Sequence, residues 1–184
     1  MLVETEKFGV LEVDSEAIIE IIEGLYGFEH AKQFCIIDHN GKESFRWLQC
    51  LDAPGLAFVV INPYDFFANY EVELDDQEAE AIELRVPEDA VILNLVTLGA
   101  NPADATANLV GPIVLNAKNR KAKQVVLANQ AYTTKHRLLP ELCGAQAPSP
   151  VVPLGPTPEG GRAPAAAASG EGSCSSLPAA AERA

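Results

Sequence analysis

The sequence predicts a mainly β fold: one domain of short antiparallel strands forming a small barrel or sandwich, with one or two short helices and a disordered C-terminal tail. Three observations carry that expectation. Short runs of Val, Ile and Leu, bounded by Gly, Pro or Asn, recur through the first three quarters of the chain and are too brief for helices. All 12 aromatic residues (7 Phe, 4 Tyr, 1 Trp) precede position 140. Residues 140–184 hold 8 of the 13 prolines, the run Ala165-Ala166-Ala167-Ala168 and a Gly/Ser-rich stretch at 169–176. Such a segment has too little apolar surface to offset its chain entropy. The folded unit is therefore residues 1–139 and the disordered Pro/Ala/Gly/Ser-rich tail is 140–184. A domain of that length buries roughly two thirds of its unfolded surface, enough for a core without staples.

Taken in order, residues 7–13 alternate imperfectly and read as a first strand. Ser15 offers a helix cap, but Ile18, Ile19, Ile21 and Ile22 are β-branched and favour a strand over 15–22. Residues 24–27 make a turn, 29–33 one helical turn, and 34–37 a strand. An Asn-Gly signal at 40–41 closes the following turn. Residues 45–50 and 56–61 pair as strands across Asp52-Ala53-Pro54-Gly55. Asn62-Pro63 ends the second of them and leads into a short helical turn at 64–67. A strand at 70–74 precedes Asp75, which caps an acidic helix over 76–82. The longest strand is 90–98.

The closing pair is Asn108-Leu109-Val110-Gly111-Pro112-Ile113-Val114-Leu115-Asn116 and Gln124-Val125-Val126-Leu127, joined by a polar loop at 117–123. Both runs are apolar at consecutive positions, so both faces of this hairpin should be covered. Pro112 cannot donate to a ladder and belongs at a strand start, while Gly111 permits a backbone geometry forbidden to a side chain.

Charge is unevenly spread. Residues 1–104 carry a net −17 and residues 105–140 a net +6, within a total of −13. That balance disfavours general binding to phosphate backbones and favours steering of basic partners; the plainer reading is a surface kept soluble by acids. The first residues contain neither a basic region nor an apolar run, so no signal peptide is expected. The apolar run at 56–61 is far too short for a membrane span. Four cysteines without C-x-x-C spacing fit a cytoplasmic protein with reduced thiols.

No constellation for catalysis stands out. Cys35, His30 and His39 fall short of the ligand set that zinc needs, and no metal or cofactor is expected. Cys35 and Cys50 lie in apolar strands, where thiols are usually inert. Glu71, Glu73, Asp75 and Asp76 form the densest acidic run, with Val72 and Leu74 alternating inward. Tyr26, Phe28, Phe66 and Phe67 sit beside turn glycines or a proline, where exposure and core packing are both open. The basic segment 118–137 suggests an alternative, a small RNA-binding β-module, although it lacks interleaved aromatics. A small β-barrel hydrolase or isomerase is a further alternative and would need a pocket with convergent polar groups.

The residues also match a family pattern. Lys7-Phe8-Gly9, Glu23-Gly24-Leu25-Tyr26-Gly27-Phe28-Glu29, Phe45-Arg46-Trp47-Leu48-Gln49 and Leu56-Ala57-Phe58-Val59-Val60 come first. Asn62-Pro63, the acidic strand at 70–74, Thr106-Ala107-Asn108-Leu109, Pro112-Ile113-Val114, Asn116, Gln124-Val125 and Tyr132 follow. In this order and spacing the chain resembles the flagellar assembly factor FliW family over residues 2–139. Cys50 stands where a small hydroxyl residue is expected, and the tail has no counterpart in the pattern. The resemblance implies a non-enzymatic β-rich cytoplasmic protein, monomeric when free, that binds two proteins by exchange. One is CsrA, a basic translational repressor of flagellin mRNA; the other is flagellin itself. It implies no direct contact with nucleic acid or membrane. Under it, Glu71, Glu73, Asp75 and Asp76 are the expected meeting surface for CsrA. Tyr26, Phe28 and Phe67 are the expected apolar contacts for a terminal helix of flagellin.

Overall fold

The computed structural model describes residues 1–39, 42–101, 104–138 and 152–153. In chain order its strands are β1 (Leu2–Thr5), β2 (Gly9–Glu12), β3 (Ile19–Ile21), β4 (Gln33–His39), β5 (Lys42–Cys50), β6 (Ala57–Ile61), β7 (Glu73–Leu74), β8 (Ala90–Thr97), β9 (Thr106–Ala107), β10 (Ile113–Asn116), β11 (Lys121–Gln124), β12 (His136–Arg137) and β13 (Val152–Pro153). One short α-helix, α1 (Asp76–Ala81), follows β7. Neighbouring strands run β10-β11-β3-β4-β5-β6-β8, and β8 pairs back onto β10, so seven strands close a barrel. All its pairings are antiparallel except β11 with β3. Strands β9 and β12 extend the sheet from the C-terminal end of β8.

Closure explains the sequence pattern. Each barrel strand sends side chains to the interior: Ile19 and Ile21, Phe34, Leu48 and Cys50, Val60, Leu93, Ile113 and Leu115, and Ala122 form one buried cluster. These fill a small barrel as side chains must when its bore is this narrow. On the outside, Ile61, Ile92 and Val114 are covered by the excursion from Tyr70 to Ile82 and by residues 105–138, which makes a second core. A third, smaller cluster sets Val3 and Val13 of the N-terminal region against Cys35 on the outside of β4. Strand β10 therefore has interior on one face and the outer core on the other, and all four of its residues are buried, as its unbroken apolar run predicts.

Several elements differ from expectation. Residues 2–5, which the sequence did not mark as a strand, form β1 and pair with β2 as a hairpin. The helix-cap question at Ser15 resolves into a 3-10 turn, Ser15–Ala17, capped by Asp14, followed by β3. The helical turn expected at 29–33 is absent; Gln33 already belongs to β4. The strand expected at 70–74 shrinks to β7: the Tyr70 N–H donates to the Phe67 carbonyl in a turn (3.1 Å) and the Glu71 N–H to the Tyr132 hydroxyl (2.8 Å), in place of a ladder. The partner of β10 is Lys121–Gln124 and not 124–127, with Val114 opposite Lys123. Its lysines face outward while Ala122 and Gln124 are buried, and the turn is closed by Arg120 at φ +62°. The apolar run still follows β10: the Val125 N–H donates to the Pro112 carbonyl (2.9 Å) and the Leu127 N–H to that of Val110 (2.8 Å).

Other expectations hold. The capping box of α1 is complete, with Asp75 accepting from the Glu78 N–H and Glu78 reaching back to the Asp75 N–H. Pro112 directly precedes β10. The backbone geometry expected of Gly111 is not found, since its φ is not positive; a Cβ there would instead stand 3.0 Å from the Asn108 and 3.1 Å from the Gln124 side-chain nitrogen, which would have to give way. Gly24, at φ +78° and with Glu29 backbone 2.6 Å from any Cβ, admits nothing larger. The Asn-Gly turn at 40–41, the His39 side chain, and the tail apart from 152–153 lie outside the described residues. At Val152–Pro153, where composition predicts disorder, the chain forms β13 alongside β7.

Candidate functional site

The excursion between β6 and β8 builds an acidic surface on the outside of the barrel. Asn62 caps a 3-10 turn, Pro63–Asp65, and sends the chain across the outer face of the barrel. Tyr70 then anchors it: its hydroxyl donates to the Leu109 carbonyl (2.8 Å) and accepts from the Asn94 side-chain amide (3.2 Å). Val72 and Leu74 bury against the outer core while Glu71 and Glu73 point to solvent. The alternation of the acidic run is thus real, and it is set by the barrel surface beneath it.

Glu71, Glu73, Asp75 and Glu78 form one wall of a cleft of about 220 Å³ whose other wall is residues 126–129. The Tyr132 hydroxyl accepts from the Glu71 N–H (2.8 Å) and its ring lies 4.8 Å from that of Tyr70, which ties the two walls together. Asp75 and Glu78 cap α1. Asp76 is exposed in the first turn of α1 but lies outside the cleft lining.

The cations of the β10–β11 hairpin are engaged elsewhere. Lys118 pairs with Asp89 (2.6 Å), Lys121 with Glu83, and Lys123 with Glu23 (3.0 Å), while the Arg120 side chain donates to the Glu16 carbonyl (3.0 Å). Pairing with Glu83 and Glu23 raises the pKa of Lys121 and Lys123. Lys123 also feels the charge of Glu78, but its ion pair is with Glu23. Among the described residues no ion pair reaches a cleft carboxylate. The arrangement is a concentrated negative surface suited to a basic polypeptide. It contains no nucleophile with an adjacent base.

The three expected aromatic contacts divide. Tyr26 is 62 % exposed, held in a turn whose backbone N–H donates to the Gln124 side chain (3.0 Å). Phe28 is half-buried at the barrel's end, edge-on to Phe58 at 5.2 Å. Phe67 is half-buried on the outer core, edge-on to His136 at 5.2 Å. The structure thus leaves Tyr26 as the open ring of the three, and it adds Val126, 60 % exposed between buried Val125 and Leu127. Val126 is an apolar member of the acidic cleft itself. Sequence reasoning missed it together with Glu78; an exposed Val inside a run of three apolar residues carries no signal until the register is known.

Among the described residues no three His, Cys, Asp or Glu side chains group as a metal would require. Cys35 and Cys50 are buried, and burial pushes both thiols up from their ordinary range. No helix among the described residues is long and apolar enough to cross a membrane.

Comparison with known proteins now adds its weight. The sequence profile described as FliW protein matches residues 2–138. The chain is 42 % identical over 145 residues to the flagellar assembly factor FliW of Treponema denticola, covering 79 % of this chain and 98 % of that protein. It is 38 % identical over 143 residues to the flagellar assembly factor FliW of Bacillus subtilis, covering 78 % of this chain and all of that one. A crystal structure of the flagellar assembly factor FliW superposes with a TM-score of 0.71 at 36 % identity, covering 77 % of this chain and 99 % of its own.

Proposed function

The chain belongs to the FliW family of flagellar assembly factors, and on that premise we propose that it works in the cytoplasm by exchanging protein partners, without catalysis. One partner is the basic translational repressor CsrA, whose capture relieves repression of flagellin mRNA. The other is newly made flagellin, which occupies the factor when export stalls. The observation that carries the reading is the cleft of Glu71, Glu73, Asp75 and Glu78, to which no described cation is paired. A basic protein approaching it is steered by the field of carboxylates that hold no ion pair. Tyr26, whose N–H donates to Gln124 at the end of β11, and Val126, just beyond that strand, supply exposed apolar area of the kind an amphipathic helix of flagellin needs. The alternative of direct RNA binding loses support because Lys118, Lys121 and Lys123 already hold acids.

The test is kinetic. Glu71→Gln, Glu73→Gln and Asp76→Asn together remove three charges and leave the Asp75–Glu78 cap of α1 intact. Association with CsrA, followed by surface plasmon resonance, should slow by about tenfold or more at low salt. The difference should shrink above roughly 0.3 M salt, where the screening length falls below about 6 Å. Flagellin binding should respond less to this variant than to Tyr26→Ser. An unchanged CsrA association rate at low salt would reduce the acids to a solvated surface.

A further inference from the structure

We propose that the β7 edge is a strand-accepting site and that its occupant is the chain's own tail at Val152–Pro153. Among the described residues β7 pairs with no strand other than β13, in parallel, with Val152 opposite Glu73 and Pro153 opposite Leu74. Without that partner, β7 presents an unpaired row of N–H and C=O groups. The edge is held rigidly in place, since Val72 and Leu74 are both buried in the outer core, and a rigid open edge is what strand addition requires.

The register fits the sequence of the tail. In a parallel ladder, alternate residues of a strand direct both N–H and C=O to one neighbour. Pro153 has no N–H to give. Val152 is therefore the residue that bonds β7, donating toward the Val72 carbonyl and accepting from the Leu74 N–H. Proline then occupies the position where its missing donor costs nothing. The intervening residues 139–151 span up to roughly 45 Å when extended. That is ample on a domain whose radius of gyration is about 14 Å. The match to the Bacillus subtilis relative uses all of that protein and 78 % of this chain, so in that relative no segment corresponding to the tail is available to the edge.

Glu73 belongs both to this pairing and to the acidic cleft. The tail thus lies against one wall of the acidic cleft, as a tethered occupant at high effective concentration. The inference goes beyond the partner assignment and does not depend on it.

Amide hydrogen exchange on the full-length chain tests it. The Leu74 N–H should be protected in the parent, and Val152→Pro, which deletes the bonding N–H, should accelerate its exchange by about tenfold or more. Amides of Leu93 and Ile113 in the barrel should be unaffected. Val152→Ala keeps the N–H and should retain most of the protection. Three results would overturn the proposal: a Leu74 amide that is unprotected in the parent, one indifferent to Val152→Pro, or one exposed equally by Val152→Ala.

Discussion

Replacing Tyr70 by Phe removes a single oxygen atom from the point where three parts of the chain meet. That hydroxyl donates to the Leu109 carbonyl at 2.8 Å and accepts from Asn94, whose amide also reaches the Asn108 carbonyl at 2.6 Å. Tyr70 is 2 % exposed, Asn94 is fully buried and Leu109 is 2 % exposed, so water cannot replace the lost partner. An ordinary hydrogen bond contributes about 1 kcal/mol net, and a stranded buried carbonyl raises the loss to roughly 1–3 kcal/mol. For a domain near 138 residues that corresponds to a fall in melting temperature of about 3–10 °C. Urea unfolding should shift its midpoint with an unchanged slope.

The same site makes a pH prediction. Burial, the largest influence, pushes the Tyr70 phenol far above its ordinary 10.0. A raised native pKa contributes stability that is fully present below pH 10 and is lost as pH rises through the native value. The stability gap between parent and Tyr70→Phe should therefore narrow above pH 10. A Phe variant melting within 1 °C of the parent at neutral pH would refute the anchoring role. So would ultraviolet titration of the native protein in which all four tyrosines ionise together near their ordinary value.

Three other outcomes follow from the structure. Trp47 is half-buried, with Phe8 edge-on at 5.7 Å and the Lys7 ammonium 3.6 Å from its ring centre. Trp47→Ala should cost about 1.5–2.5 kcal/mol in chemical denaturation, less than the 3–5 typical of a fully buried ring. Cys35 and Cys50 should resist Ellman's reagent at pH 8 until the protein is denatured, because burial raises both thiols; peptide mass spectrometry locates the labels. Lys121 holds the Glu83 carboxyl below its ordinary 4.5, a contribution present above that value and lost as pH falls through the lowered one. The melting difference between the parent and Lys121→Gln should accordingly be positive at pH 7 and diminish as pH falls below 4.5, and a difference independent of pH would exclude the pair.

Legibility from the sequence followed the local physics. Strands β4 to β6 and β8 were readable because their apolar runs are long and their turns carry Gly, Pro or Asn. The α1 cap was readable because Asp75 stands at the head of an acidic run whose charges suit the first turn of a helix. Strand β11 was misplaced by three residues because two outward lysines, Lys121 and Lys123, disguise a strand whose inward positions are Ala122 and Gln124. Strands β9 and β12 are two residues long, and their pairing depends on β8 and not on their own composition. The cleft was half legible: the acids alternate along one segment, whereas the facing wall at 126–129 arrives through barrel closure.

Charge shows most clearly how folding turns a sequence pattern into a surface. Along the sequence the charge is asymmetric, −17 before residue 105 and +6 over 105–140. Folding lays the β10–β11 turn against earlier acids: Lys118 on Asp89, Lys121 on Glu83 and Lys123 on Glu23. Each pair is surface-exposed at one partner at least and contributes little stability by itself. Their larger effect is on the field. By neutralising acids beside the hairpin they leave the net negative charge to regions such as the 71–76 run, which no described cation reaches. A steering surface built this way depends on where the cations are sequestered as much as on where the acids lie. Reversing Lys121 or Lys123 would spread the negative field across the hairpin and blur the orientation in which a basic partner arrives.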